Sequence, residues 1–497
     1  MTEPCDLTAI EARRRIGAKT MSALELLDSC IARIEAVDPA VNAIVARDFD
    51  RARAAAKAAD ERTMRGGDLP ALHGLPVGIK DLEPTGGLRT TFGSPLFADN
   101  VPAEDCRMVA AIRRAGGIVI GKTNTPEFGA GANTRNAVYG ATGNPFDPSK
   151  SCAGSSGGSA VALATGMAPL CSGSDTGGSL RNPAAFCGIV GYRPTPGLVT
   201  AERRLHGWSV LPVLGPMART ATDTALFLSA MASDDGADPL ATTVYGQTVR
   251  SPDHYYPLPP LDLSRLRVAL SPDFGFAPTE RLVRQAFAEK TGLFRHVFAT
   301  ARDAAPDCSG SNEVFEVLRA LTFLSAHGDK VRQTPEKVGP NVRANVEEAL
   351  RYTMEDVANA LTAQTAIYHR WQSFFTQYDV ILTPAITVSP RSWRELYPAE
   401  IDGQRTRTYF HWLAMAYAVT IVGHPAVSLP VGLDGNGMPF GLQIVGPRGG
   451  DALVLRVAAA LEALLAGDAR TSRPEPDLAA LRAAPPISTA EGFLGFD

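Results

Sequence analysis

Serine residues gather in one stretch of the sequence that carries almost no charge. Residues 149–192 contain eight serines but three charged side chains, Lys150, Asp175 and Arg181, where the chain's 20% charged content would give about nine. Such a segment is expected to be buried, and each unpaired polar group buried there costs roughly 1–3 kcal/mol. Serines beside glycines in this setting indicate catalysis or anion binding more than a flexible turn.

Ser179 is the strongest candidate for a nucleophile. It follows Thr176, Gly177 and Gly178 and lies between a strand-like run and a helix-like run. Glycine allows the backbone to adopt positive φ angles, and successive N–H groups at the start of a helix can form an anion-binding nest. The backbone N–H groups of residues 176–179 therefore predict an oxyanion hole with Ser179 at its edge.

A serine needs a base to remove its proton. None of the eight histidines lies between His73 and His206, although a distant one could still fold into the site. The nearer candidate is Lys80, which closes the apolar run 75–79. A lysine at the end of a buried strand is paired or has a lowered pKa, and the neutral amine can act as a base. The alternative is a surface lysine that reaches solvent.

Two short motifs fit the sequence but not its predicted local structure. Residues 116–123 match GxxxxGK[ST], but the loop positions are apolar and predict a buried strand instead of a phosphate-binding turn. Residues 154–158 match GxSxG around Ser156, which requires a preceding strand, whereas residues 144–148 contain two prolines. The sequence has no HExxH motif or metal-ligand spacing of Cys and His, so no metal or other cofactor is expected.

Motifs along most of the chain resemble those of the amidase signature family. They occur in the family's order at residues 74–81, 121–128, 144–145, 154–159, 175–184, 423–426 and 441–446. The resemblance implies an α/β fold, in which one large domain has a central mixed, twisted sheet flanked by helices. It also implies hydrolysis of an amide by acyl transfer.

The resemblance implies a catalytic triad in which each residue matches a family position. Ser179 matches the nucleophile, Ser155 the bridging serine on a cis peptide bond, and Lys80 the general base. Ser155 would then relay a proton from Ser179 to neutral Lys80 and return it to the leaving amine. The 24 positions between Ser155 and Ser179 also resemble the family's spacing.

Further site residues are expected around this triad. Asp175, Arg181 and Gln443 are predicted to support the loop structurally and to take no part in the chemistry. The residues expected to contact substrate are Gly129, Thr176, Gly177 and Gly178.

A second function is possible within the same family, namely the A subunit of a glutamine-dependent aminoacyl-tRNA amidotransferase. Those proteins are similar in carrying a carboxylate shortly before the Gly-x-Pro motif, whereas the corresponding segment here, 410–413 with Leu413, has no acid. Its apolar and aromatic side chains favour a stand-alone hydrolase of a small, partly apolar amide, anilide or carbamate. A binding protein with an inactive site is a third alternative.

The first half of the chain predicts two kinds of structure. Residues 7–65 are expected to be helical, with a capping box at Ser22–Glu25 opening a helix that ends at Asp38–Pro39. In residues 72–200, the signature core, short apolar runs alternate with helical stretches, which predicts βα units on a parallel or mixed sheet.

The second half predicts helices first and strands later. Residues 232–375 are richer in charge and are expected to form helical decoration that shapes the substrate pocket. A strand is predicted near 380–382, a hairpin over 426–445 and a helix over 451–465. With no internal repeat or linker, residues 1–497 are expected to form one domain.

Composition excludes several classes of partner. With 48 Lys+Arg against 52 Asp+Glu, the formal charge is −4 and no basic stripe predicts nucleic-acid binding. No apolar run is long enough to span a membrane, and no signal peptide is expected.

Seven cysteines without a CxxC pair indicate buried, reduced thiols and a cytoplasmic protein. A homodimer is expected from the frequency of such assemblies alone.

Overall fold

A mixed sheet of eleven strands forms the centre of the protein. The computed structural model describes residues 3–232, 236–241, 243–244, 247–248 and 254–494. The order of strands across the sheet is β1-β3-β2-β4-β6-β5-β10-β11-β9-β7-β8. In chain order the strands are β1 Ile44–Arg47, β2 Pro76–Lys80, β3 Ile118–Thr123, β4 Leu170–Asp175, β5 Val190–Arg193, β6 Val213–Ala218, β7 Arg267–Leu270, β8 Thr300–Asp303, β9 Val380–Pro384, β10 Ala426–Leu433 and β11 Pro439–Val445.

Helices flank this sheet, as predicted for a single α/β domain. Strands β2 and β3 are buried along their whole length, which is typical of strands covered on both faces. The helices are α1 Ala9–Gly17, α2 Ala23–Val41, α3 Phe49–Arg65, α4 Arg107–Arg114, α5 Gly157–Ala164, α6 Arg181–Cys187, α7 Ala221–Met231, α8 Arg281–Phe294, α9 Ser311–Gln333, α10 Pro340–Ala349, α11 Met354–Phe375, α12 Ala414–Ile421, α13 Asp451–Leu465 and α14 Leu478–Ala483.

The predicted start of α2 is confirmed and its predicted end is wrong. Ser22 and Glu25 form the capping box, with the Glu25 N–H 2.9 Å from Ser22 Oγ. The helix continues through Pro39 to Val41, because a proline in the last turn removes a single N–H donor. It closes at Asn42, whose N–H donates to the Asp38 carbonyl at 2.7 Å.

Strands also occur in two regions that were predicted to be helical. β1 lies within residues 7–65 and pairs antiparallel with β3. Within residues 232–375, β7 and β8 pair in parallel at the edge of the sheet, alongside helices α8–α11. Both strands are four residues long, and residues 300–303 contain a single apolar residue, so neither strand stands out as an apolar run in a charged context. Residues 233–235, 242, 245–246 and 249–253 of this region lie outside the described residues.

The strand, the hairpin and the helix predicted for residues 380–465 are confirmed. β10 and β11 form the antiparallel hairpin, β9 lies beside β11, and α13 covers Asp451–Leu465. All seven cysteines are free and buried. Across the described ranges, no helix has both the length and the apolar character needed to cross a membrane.

Candidate active site

The low-charge segment is buried, as predicted, except at Ser149 and Lys150 at its start and at three positions further on. Every residue in 151–192 is buried apart from Ser174, Thr176 and Ser179, which are partly exposed. Ser174 lies near the end of β4, and Thr176 and Ser179 lie in the loop that leads to α6. A ligand can therefore reach this segment at the place where its hydroxyl groups gather.

Lys80 lies at the end of β2, between β3 and β4, and is completely buried. Its Nζ is 2.7 Å from Ser155 Oγ, 2.8 Å from Ser156 Oγ and 2.9 Å from Ser174 Oγ. These three contacts match the three N–H donors of a lysine ammonium. The prediction of a buried lysine is confirmed, and the alternative of a surface lysine is wrong.

Burial changes the proton affinity of this lysine. Desolvation lowers the pKa of Lys80 from its usual 10.5 to about 7, against the opposing effect of the Glu83 and Asp175 carboxylates. Lys80 is consequently divided between its neutral and charged forms near neutral pH. A neutral lysine amine can accept a proton, which an ordinary surface lysine at this pH cannot do.

The two serines of the candidate triad come from adjacent loops. The Gly154–Ser155 peptide bond is cis, and Ser155 is 2% exposed. The Ser156 N–H donates to the Ser179 carbonyl at 3.2 Å, which joins the two loops. The Ser179 Oγ has no hydrogen-bond partner among the described residues. Of the two hydrogen bonds expected within the triad, the structure therefore contains the one between Lys80 and Ser155 and lacks the one between Ser179 and Ser155.

The loop after β4 presents fewer amides than the sequence predicted. The Gly178 N–H donates to Asp175 Oδ1 at 2.9 Å and is therefore not free to bind an oxyanion. At Gly178 the backbone has a φ of 107°, which accompanies this inward turn toward the buried carboxylate. Within the described ranges, the N–H groups of Thr176, Gly177 and Ser179 have no acceptor. These three amides are available to a ligand.

Asp175 is held in place by two buried arginines. Its Oδ1 lies 2.9 Å from Arg181 Nη2 and 3.2 Å from Arg193 Nη1, and all three side chains are shielded from solvent. Burial alone would raise the pKa of Asp175, but the two guanidinium groups hold it well below its usual range. Arg193, one residue beyond the low-charge segment, was missed by the sequence analysis.

Arg181 extends this support to the other half of the sheet. Its Nη1 donates to Gln443 Oε1 at 2.6 Å, and Gln443 Nε2 donates to Thr383 Oγ1 at 3.0 Å. Since Gln443 lies on β11 and Thr383 on β9, the loop before α6 is connected to two further strands. The structure thus brings Asp175, Arg181 and Gln443 together as a bracing network.

Glycines provide the close approaches around the site. A Cβ atom at Gly129 would lie 3.4 Å from Ser155 Oγ, which places Gly129 directly beside that hydroxyl. A Cβ atom at Gly177 would lie 3.0 Å from the Phe315 ring. The structure therefore places Gly129 beside Ser155 and packs the 176–179 loop against Phe315.

The two discarded motifs have structural roles. Residues 118–123 of the GxxxxGK[ST] match form β3, and Lys122 is buried with its Nζ 2.9 Å from Thr85 Oγ1. Ser156 of the GxSxG match contacts Lys80 instead of forming a nucleophile elbow. The sequence analysis missed this contact and that of Ser174. The alternation of Ser172 and Ser174 along β4 was the signal for the latter, because side chains two apart share one face of a strand.

Comparison with known proteins supports the family resemblance. The Amidase family profile matches residues 25–455. An acylamidase of Rhodococcus erythropolis is 35% identical over 467 residues, with 92% of this chain and 95% of that protein covered. The A subunit of the glutamyl-tRNA(Gln) amidotransferase of Acidothermus cellulolyticus is 34% identical, with 92% and 94% covered.

Solved structures of amidases share the fold of this protein over nearly the whole chain. The crystal structure of a bacterial aryl acylamidase of the amidase signature family has a TM-score of 0.85 at 24% identity, with 96% of this chain and 98% of that chain covered. The crystal structure of another amidase has a TM-score of 0.79 at 29% identity, with 92% and 100% covered. Shared identity and fold along most of its length make this chain a member of the amidase family, whose members hydrolyse amide C–N bonds.

Proposed function

We propose that the chain hydrolyses a small, partly apolar amide, anilide or carbamate through an acyl-enzyme on Ser179. The observation that carries this proposal is the contact between Lys80 Nζ and Ser155 Oγ at 2.7 Å, next to the partly exposed Ser179. The identity with an acylamidase supports an amide substrate. The seven buried, free cysteines support a cytoplasmic location.

In the first half of the reaction, Ser179 Oγ attacks the carbonyl carbon of the substrate. Its proton passes to Ser155, while Ser155 gives its own proton to neutral Lys80. The N–H groups of Thr176, Gly177 and Ser179 stabilise the negative charge on the carbonyl oxygen. The C–N bond then breaks, and the proton held by Lys80 returns through Ser155 to the leaving nitrogen.

The second half of the reaction removes the acyl group. A water molecule attacks the ester carbonyl and transfers its proton along the same path to Lys80. Breakage of the bond to Ser179 Oγ releases the carboxylic acid, and the proton returns to Ser179. The triad ends in its starting protonation state, as hydrolysis requires.

The side chains around residues 176–179, the oxyanion loop, support an apolar acyl or aryl group. Phe315 lies against Gly177 and stacks on Tyr417, with 4.4 Å between the ring centroids. Phe410 is a further aromatic neighbour of Phe315, at 5.4 Å. Apolar surroundings of this kind favour an aryl or alkyl substituent over the charged groups of an α-amino acid.

The second candidate function is that of the amidotransferase A subunit, which the 34% identity with one such protein supports. The segment 410–413, including buried Leu413, still offers no carboxylate for the amino group of glutamine. A stable complex with partner subunits that gains glutaminase activity would favour this second function. Hydrolysis of anilides by the purified chain alone would favour the first.

The decisive experiment compares the wild type with Ser179→Ala. We expect the wild type to hydrolyse 4-nitroacetanilide and to be labelled by a fluorophosphonate, and Ser179→Ala to lose both properties. Mass spectrometry of the labelled protein should place the adduct on the peptide that contains Ser179. Labelling of another serine with unchanged turnover in Ser179→Ala would contradict the proposal.

A further inference from the structure

A cavity of about 520 Å³ has walls that are connected to the loop of residues 176–179 through Arg193 and helix α9, and the proposed chemistry does not use it. Its walls are formed by residues 205–211, by α9, by α11, by the end of α12 and by Arg448. Small-molecule sites are commonly about 300–1,000 Å³ in volume. The cavity is therefore large enough for a substantial part of a substrate.

Most of the cavity wall is apolar. Leu318 and Leu321 of α9 and Leu361 of α11 line it. Two large apolar side chains at its rim are unusually exposed, with Trp208 at 79% and Leu205 at 71%. Exposed apolar groups clustered around a concave surface indicate a binding site. An apolar ligand would cover these side chains.

Arg448 gives the cavity a positive charge. Its guanidinium carbon lies 5.8 Å from the centre of the Tyr368 ring, which also lines the cavity. Within the described part of the chain, Arg448 has no carboxylate partner and no hydrogen bond. Arg448 is exposed at this wall, and its guanidinium can bind a carboxylate with two parallel hydrogen bonds.

One wall of the cavity is connected directly to the oxyanion loop. Arg193 donates to the Val210 carbonyl at 2.9 Å and to the Leu211 carbonyl at 2.8 Å, and both of these residues line the cavity. The same guanidinium donates to the Asp175 carbonyl at 2.9 Å, immediately before Thr176. The backbone of Val210 and Leu211 is thereby connected to the loop that presents the three free amides.

Helix α9 provides a second connection. Phe315 packs against Gly177 of the oxyanion loop, with a ring atom 3.0 Å from the position of a Gly177 Cβ. Leu318 follows three residues later, on the same side of the helix, and lines the cavity. The cavity therefore begins about one helical turn from the oxyanion loop.

We propose that this cavity binds the part of the amide substrate that is remote from the scissile bond. It selects an apolar aryl or alkyl segment that ends in a carboxylate, with Trp208 covering the segment and Arg448 pairing with the carboxylate. This inference rests on the proposed amide hydrolysis and specifies its substrate class. Residues 205–211 and Arg448 would then determine specificity without touching the reacting atoms.

Two matched substrate series test this inference, since the remote segment can belong to the acyl group or to the amine. The acyl series contains the 4-nitroanilides of acetic acid, hexanoic acid and adipic acid, the last as its mono-amide. The amine series contains the acetyl amides of aniline, 4-butylaniline and 4-(4-aminophenyl)butanoic acid. For each series, the measured quantity is kcat/KM for each of the two longer substrates divided by kcat/KM for the shortest.

We expect Trp208→Ala and Leu321→Trp to lower this ratio about tenfold in one of the two series, because both disturb a pocket for an apolar group. Arg448→Gln should lower the preference for the carboxylate-bearing substrate over its uncharged partner by about fivefold. Met354→Ala and Arg265→Gln are matched controls, because both residues are exposed and neither lines the cavity. Unchanged ratios in both series for all three cavity variants would overturn the inference and leave the cavity to another occupant, such as a protein segment.

A binding measurement separates failure of this inference from failure of the proposed function. All four tryptophans lie in the described residues, and Trp208 is the exposed one. In the Ser179→Ala protein, 6-phenylhexanoate should quench tryptophan fluorescence saturably, and the effect should weaken in a Ser179→Ala/Arg448→Gln protein. If the wild type hydrolyses no amide, the proposed function fails, and this quenching alone decides whether the cavity binds an apolar carboxylate. Absence of quenching would overturn the inference.

Discussion

The amine of Lys80 lies 2.7 Å from the hydroxyl of Ser155, and both side chains are almost completely shielded from solvent. This pair joins the end of a central strand to the loop before α5. Because water does not compete for the contact, the protonation state of Lys80 directly determines whether Ser155 can pass on a proton.

Replacement of Lys80 by alanine should remove the base while leaving the nucleophile in place. We expect Lys80→Ala to lower kcat for 4-nitroacetanilide by at least about 10³-fold, as in other serine nucleophile systems. Lys57→Ala, at an exposed position of α3, is the matched control and should retain full activity. Near-normal turnover of Lys80→Ala at neutral pH would show that another group acts as the base.

The pH dependence of the reaction should report the titration of Lys80. Burial lowers the pKa of Lys80 to about 7, and the neutral amine is the active form. The value of kcat/KM should therefore increase about tenfold per pH unit below this pKa and level off above it. A rate that falls between pH 6 and pH 8 would contradict a neutral lysine base.

Ser174 should tune this titration without being required for it. Its Oγ accepts a hydrogen bond from Lys80 Nζ at 2.9 Å, and such a bond stabilises the charged ammonium. Loss of a hydrogen bond to a charged group should shift the midpoint of the pH–rate profile downward by roughly one unit in Ser174→Ala. Ser149→Ala, at an exposed position, is the control. An upward shift, or a midpoint equal to that of the wild type, would contradict this role.

Local sequence patterns predicted the parts of the fold that depend on neighbouring residues. The hairpin of β10 and β11 follows from alternation around an Asp-Gly-Asn-Gly turn, and α13 follows from a long apolar periodicity. β7 could not be predicted in the same way. Its four residues become a strand because they pair with β8 and β9, which lie far away in the sequence.

The geometry of the site likewise depends on contacts between residues that are distant in the sequence. The residue types around Ser179 and Lys80 indicated a serine nucleophile and a lysine base, whereas Ser155 and acyl transfer were implied by the family resemblance. The direction of the Gly178 N–H and the approach of Arg193 to Asp175 depend on tertiary packing and the local backbone angle. No local pattern carries that information.

The buried carboxylate of Asp175 should be essential for stability as well as for activity. Asp175→Asn leaves Arg181 and Arg193 without their negative partner, and breaking such a buried pair costs about 3–5 kcal/mol. Urea denaturation should show this loss of unfolding free energy, together with reduced kcat from the displaced 176–179 loop. Asp468→Asn is the control, because it breaks an exposed pair with Arg470 and should change stability little. Equal stability of the two variants would contradict the bracing role of Asp175.

A methyl group at Gly178 should disturb the loop more than one at Gly177. Gly178 has a φ of 107°, and its Cβ would lie 2.5 Å from the Cβ of Ala416, whereas the Gly177 Cβ would meet the Phe315 ring at 3.0 Å. We expect Gly178→Ala to lower the unfolding free energy by about 1–3 kcal/mol more than Gly177→Ala, measured by urea denaturation. Gly275→Ala separates backbone strain from contact, because Gly275 has a φ of 73° and open space around it. If Gly178→Ala were no less stable and no less active than Gly275→Ala, close packing against α12 would not be what holds the oxyanion loop.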